Sequence, residues 1–268
     1  MFILIRTDLA VEFAAEGCHD GFCITRRNLP YPVTDIRILT DEAEKLVQKP
    51  RGRYLTVEEL SFFAPPENFS HTARVLAALL RELMPGKFHS ALVVGLGNRG
   101  ITPDALGPQT TERILITRHL QTEIPLFAES CSVSALSPGV LGQTGVETAE
   151  LVKALCKETK PELVIVIDAL AAAEKERLCT SLQFSDTGIV PGSGVRNHRS
   201  ALTKKELGVP VLAVGVPTVI ALEGSPERFV TPREADICIG HAAKLIGQII
   251  NLALHPQLSF EELAALTG

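Results

Sequence analysis

The runs Ser90–Gly95, Leu163–Asp168 and Val209–Val216 constrain this 268-residue chain more than any other feature. Each is short, apolar and bounded by Gly, Pro or a charge, which is the pattern of a strand buried on both faces. The segments between them have a different rhythm. Ser70 to Met84 carries Val75, Leu76, Leu79, Leu80 and Leu83 at three- and four-residue spacing, and Pro85-Gly86 stops it. Further helices are expected over 109–120, 145–159, 171–178 and 235–254. The last begins at Thr231-Pro232, with Thr as N-cap and Pro at the first helical position. Buried strands alternating with helices predict an α/β fold with a mostly parallel sheet. Ligands of such sheets bind beyond the carboxyl ends of the strands. The residues to watch are therefore Gly95–Pro108, Asp168–Ala171 and Gly215–Val219.

The chain is expected to form one domain over 1–268, with an irregular segment over 1–67 and an α/β core over 68–268. Within the first part, Thr56-Val-Glu-Glu59 has the spacing of a helix-starting capping box. Lys and Arg number 26 against 31 Asp and Glu, a net charge of −5, with no Trp and two Tyr. That balance argues against a nucleic-acid partner, which calls for a basic surface and stacking rings. The longest charge-free apolar stretch, Val209 to Leu222, holds two prolines and is too short to span a bilayer, so no membrane partner is expected. The six cysteines, at 18, 23, 131, 156, 179 and 238, show neither C-x-x-C nor zinc spacing, and are read as reduced thiols of a cytoplasmic protein.

Several familiar signatures fail. Gly95-Leu-Gly-Asn-Arg-Gly100 matches G-x-G-x-x-G after a strand, but Pro103 and Pro108 interrupt the early helix that dinucleotide binding needs. The backbone of this loop is instead free to approach something closely. Asp186-Thr-Gly188 is the tripeptide of pepsin-like sites, present once and in the wrong setting, and reads as a turn. The seven histidines show no pairing at metal-ligand spacing. Two acids stand out. Asp104 and Asp168 each follow a buried apolar strand and each precede Ala-Leu. Singly, each is an ordinary candidate for a helix N-cap. Together, on one ligand-binding edge, they have another use. Neighbouring carboxylates drive their pKa values apart, so that one holds a proton while the other activates water.

The chain also resembles the spore germination endopeptidases of Bacillus and Clostridium relatives, in colinear order from Arg6 to the C-terminus. The stretches that carry the resemblance are Arg6-Thr-Asp-Leu-Ala-Val-Glu12, Val93-Val-Gly-Leu-Gly-Asn98, Thr102-Pro-Asp-Ala-Leu-Gly-Pro108 and Thr117-Arg-His119. Ser137-Pro-Gly-Val140, Ile167-Asp-Ala-Leu-Ala-Ala172, Ser185-Asp-Thr-Gly-Ile189, Pro191-Gly-Ser-Gly-Val195, Gly215-Val-Pro-Thr-Val219 and Val230-Thr-Pro-Arg-Glu-Ala-Asp236 complete it.

The resemblance implies a three-layer α/β/α fold similar to hydrogenase maturation proteases. It implies hydrolysis of small acid-soluble spore proteins, protein substrates degraded in the spore core during germination. It also implies an aspartate mechanism unlike that of pepsin, and a homotetramer. The two family aspartates carry over onto Asp104 and Asp168. Asp186, Gly95, Gly97, Asn98, Gly192, Ser193 and Gly194 are candidate site-loop residues, and backbone amides of 95–97 or 192–194 are candidate oxyanion donors. Two departures from the family are visible. Five residues precede Arg6, where the family carries a pro-segment, and ten separate Val219 from Val230, where it carries a long insertion. No cofactor is expected. Two alternatives remain open at this point: a metal-dependent peptidase with Asp104 and His119 or His198 as ligands, and an inactive regulatory paralogue.

Overall fold

The computed structural model describes residues 7–13, 18–19, 21–190, 200–222 and 225–267. Among them are the strands β1 (Cys18–His19), β2 (Phe22–Asn28), β3 (Pro32–Ile38), β4 (Gly52–Val57), β5 (Ser90–Gly95), β6 (Ser132–Leu136), β7 (Leu163–Ala172), β8 (Leu182–Ser185), β9 (Val211–Leu222) and β10 (Ser225–Val230). The helices are α1 (Asp41–Val47), α2 (Phe69–Arg81), α3 (Leu106–Thr111), α4 (Leu141–Thr144), α5 (Thr148–Thr159), α6 (Lys204–Leu207), α7 (Ala235–Leu254) and α8 (Phe260–Thr267).

All ten strands join one sheet, ordered β1-β2-β3-β4-β8-β9-β7-β5-β6, with β10 paired to β9. The fold class is α/β, as the alternation predicts. The four strands β6, β5, β7 and β9 run parallel, and every other pairing is antiparallel, so the sheet as a whole is mixed. The pleat of β7 divides two cores. Leu163, Ile165 and Ile167 pack with α2 and α7, while Val164 and Val166 pack with Ala149 and Val152 of α5 on the other face. Helices therefore cover both faces of the parallel half.

Helix α7 spans the expected residues, but its N-cap is Glu234; Thr231 Oγ1 instead donates to the Thr218 carbonyl at 2.8 Å. By length and composition α7 is apolar enough to cross a membrane, yet 78 % of its most apolar window is buried inside this fold. Its stripe Ile246, Ile249, Ile250 and Ala253 is core.

The expectation of an irregular 1–67 is corrected: β2, β3 and β4 extend the sheet, and α1 is a regular helix between β3 and β4. Thr56 lies inside β4, paired with Thr34 and Gln183, and starts no helix. Asp35, 3 % exposed, hides the strand pattern. It sits in β3 as a buried charge, and Arg53 of β4 grips it with Nε to Oδ1 at 3.0 Å and Nη2 to Oδ2 at 2.7 Å. A buried ion pair breaks the apolar–polar alternation by which strands are read.

The expected helices over 109–120 and 171–178 are corrected as well. Helix α3 ends at Thr111, and Thr117 turns away to bond the Cys131 carbonyl and the Val133 amide. Strand β7 runs four residues beyond Asp168 and is followed only by a 3-10 turn at Lys175–Arg177. The thiol expectation fails at Cys23, which is disulfide-bonded and lies opposite Cys18 in the β1–β2 ladder. Cys131, Cys156, Cys179 and Cys238 are free.

Candidate active site

Asp168 lies inside β7, opposite Gly215 of β9, and is 7 % exposed. Residue alternation turns it to the face of Val164 and Val166, away from α7. Its Oδ1 accepts the Ala169 amide at 2.9 Å. No helix begins here, so the N-cap explanation fails for this acid.

Asp104 closes a 3-10 turn, Thr102–Asp104, between β5 and α3. It caps no helix either: the N-cap of α3 is Ala105, and no side chain serves it. Instead Asp104 Oδ2 accepts the Asn98 amide at 2.7 Å. Gly97 makes this possible. Its φ is +111°, and a Cβ there would lie 2.0 Å from the Asp104 carbonyl oxygen and 2.9 Å from Oδ1.

The two acids share one sheet edge through short connections. The Leu96 amide donates to the Ile167 carbonyl at 2.8 Å, so the residue before Gly97 is bonded to the residue before Asp168. The turn bearing Asp104 is tied to β9, where Thr218 Oγ1, in a residue 1 % exposed, donates to the Pro103 carbonyl at 2.7 Å. Asn98 belongs to the same cluster. Its Oδ1 accepts the Gly100 amide at 2.9 Å and Gln143 Nε2 at 2.8 Å. Of the Leu96, Gly97 and Asn98 amides, the first and last are engaged. The Gly97 amide has no acceptor among the described residues.

Other expected site residues lie elsewhere. Asp186 is corrected: it sits at the opposite edge. Gln183 is level with Gly215 and Asp168, but β8 runs antiparallel to β9, so three further residues carry Asp186 about 10 Å toward the amino ends of the parallel strands. There its Oδ1 accepts the Arg53 amide at 2.7 Å, and Gly188 takes φ +73°, as a turn requires. His119 also lies away from Asp104, beyond Thr117, whose bonds to Cys131 and Val133 fix it at the amino end of β6. Gly192, Ser193, Gly194 and His198 lie outside the described residues. Among the described residues no cluster of three potential metal ligands occurs.

Sequence reasoning missed Gln143 and Gln183. Gln143 follows the Ser137–Val140 stretch by three residues, and that adjacency was the only hint. Gln183 lies in a run with no motif. A charged cleft of about 560 Å³ opens at the same edge as the two acids, lined in part by Arg26, Glu58, Glu174, Arg177 and Ser181.

Residues 15–225 match the family described as germination protease. The germination protease of Caldanaerobacter subterraneus subsp. tengcongensis is 40 % identical over 316 aligned positions that cover 98 % of each chain. That of Clostridium tetani is 36 % identical, covering 97 % of this chain and 98 % of its own. That of Bacillus velezensis is 43 % identical over 234 positions, covering 81 % of this chain and 63 % of its own. An alignment of 316 positions exceeds the 268 residues present, so it opens gaps in this chain. Among solved structures, a [NiFe] hydrogenase maturation protease, HycI from Thermococcus kodakarensis KOD1, matches at 20 % identity and a TM-score of 0.37. It covers 64 % of this chain and 98 % of its own. That likeness is too distant to carry an argument.

Proposed function

This chain belongs to the germination protease family and is an endopeptidase, and from that premise we propose that it hydrolyses small acid-soluble spore proteins, with Asp104 and Asp168 sharing the acid–base work on one water molecule. The observation that carries this reading is that Asp104 follows β5, that Asp168 lies in β7 one residue beyond the Gly95–Ile167 pair where β5 ends, and that neither caps a helix. Each carboxylate is held by a backbone amide, Asp104 by that of Asn98 and Asp168 by that of Ala169, which orients a charged group that burial alone would disfavour.

In the proposed reaction the ionised member of the pair takes a proton from water, and the resulting hydroxide adds to the scissile carbonyl carbon. The protonated member gives its proton to the departing amine as the C–N bond breaks. The negative charge on the tetrahedral oxygen needs a preorganised donor. The Gly97 amide, without an acceptor among the described residues and one residue from the Asn98 amide that Asp104 holds, is the candidate in this loop.

The test is cleavage of a purified small acid-soluble spore protein by Asp104→Asn and Asp168→Asn, each an isosteric loss of acid–base capacity. Each is expected to lower kcat by about 100- to 10,000-fold. Full activity in either variant contradicts the shared role.

A further inference from the structure

Strand β7 poses a mechanical problem. Asp168 is followed by Ala169–Ala172 at the open edge of the sheet, and the pairing with β9 shifts register between Leu170 and Ala171. A bulge at a strand end loosens the ladder. An acid that must meet water and substrate within a fraction of an ångström cannot ride on a loose end.

The segment Thr7–Glu12 fastens that end. The Asp8 amide donates to the Ala171 carbonyl at 2.8 Å, and the Ala171 amide donates back to Asp8 Oδ2 at 2.9 Å. Thr7 Oγ1 donates to the same Ala171 carbonyl at 3.2 Å. Four residues on from Asp8, the Glu12 carboxylate accepts the Ala173 amide at 2.9 Å and the Glu174 amide at 2.8 Å. Leu9, fully buried, packs on Leu170 and Ala172.

Gln183 fixes the strap in turn. Its Oε1 accepts the Ala10 amide at 2.8 Å, and its Nε2 donates to the Asp8 carbonyl at 3.2 Å. It stands in the same ladder row as Asp168, separated only by Gly215, and neighbours Leu182 and Phe184 face α7, so Gln183 faces the side that Asp168 faces. Lys49 Nζ donates to the Thr7 carbonyl at 2.9 Å. Burial pushes its pKa down, and the charges of Asp8 and Glu12 push it back up.

We propose that the Thr7–Glu12 strap, gripped by Gln183, positions Asp168, with Gln183 and Asp8 as positioning residues for the reaction. This rests on the reading of Asp168 as one of the two acids. A strap that merely tied down the N-terminal segment would affect stability and leave turnover of the folded enzyme alone.

The test compares Gln183→Met, which keeps side-chain volume but neither hydrogen bond, with Asp8→Ala, Asp8→Asn and Asp168→Asn, all on a purified small acid-soluble spore protein. Gln183→Met and Asp8→Ala are expected to lower kcat about 10- to 100-fold with KM changed less than about twofold. Asp8→Asn keeps an oxygen for the Ala171 amide and is expected to recover most of what Asp8→Ala loses. Amide hydrogen exchange over residues 168–174 is expected to quicken in Gln183→Met, which supports the proposal without reference to turnover and serves even where Asp8→Ala does not fold. Full kcat in Gln183→Met with Asp168→Asn inactive overturns the strap alone. A raised KM at unchanged kcat overturns it too. Full activity in Asp168→Asn overturns the reading beneath it.

Discussion

Asp104 occupies the space that a side chain on Gly97 would need, and the site depends on that exchange. Gly97→Ala would set a methyl 2.0 Å from a backbone oxygen at a φ of +111°. It is expected to cost at least about 2 kcal/mol in urea unfolding, and to lower kcat because the Asn98–Asp104 bond must shift. A second residue-scale effect lies far from the site. His255, fully buried at the end of α7, has its pKa pushed down to about 4 by burial, only partly offset by the Leu115 backbone. As pH falls below about 6.5, the unfolded imidazole gains a proton that the folded one refuses until about 4, so stability drains across that window. The full loss is about 3 kcal/mol. Unfolding free energies measured between pH 7 and pH 4 should therefore fall less steeply in His255→Phe than in the parent chain. An unchanged slope would contradict the assignment.

At the scale of elements, what was legible in the sequence depended on whether side chains announced their surroundings. Strand β5 and helix α7 fall where apolar runs and 3.6-residue spacing put them. Strands β2 to β4 did not, because Asp35 and Arg53 carry a buried ion pair through the sheet. Arg53→Met would strand the Asp35 carboxylate, with Arg37 Nη2 at 3.6 Å as its remaining cation among the described residues, and is expected to cost about 3 kcal/mol. The double variant Asp35→Leu/Arg53→Met removes both charges and should recover much of that loss in the same denaturation assay. Both candidate acids were legible as carboxylates after apolar runs, although β7 continues past Asp168. Asp186 was misplaced because strand direction is invisible in a local motif: β8 runs antiparallel to β9 and delivers it to the other edge. The extra length of β7 was hidden for a related reason. Its partner, the Thr7–Glu12 strap, lies about 160 residues away in sequence.

At the scale of the molecule, an antiparallel set of N-terminal strands extends a four-stranded parallel unit into one sheet, and the two candidate acids sit where β5 ends, Asp168 one residue beyond the Gly95–Ile167 pair. The close spacing of Gly95 and Gly107 sets that arrangement. A Cβ on Gly95 would lie 2.2 Å from the Gly107 carbonyl oxygen, so α3 rests directly on the end of β5. The homotetramer implied by the family resemblance is expected to show as a mass near four times 28.9 kDa by light scattering; a monomer mass would contradict it. Asp104 and Asp168 are proposed to act as one unit. Groups that act together are non-additive when removed. The measurement is therefore kcat for Asp104→Asn, for Asp168→Asn and for the two combined. The double variant is expected to fall no further than the more damaged single variant. Losses that multiply, or a single variant with full activity, would contradict it.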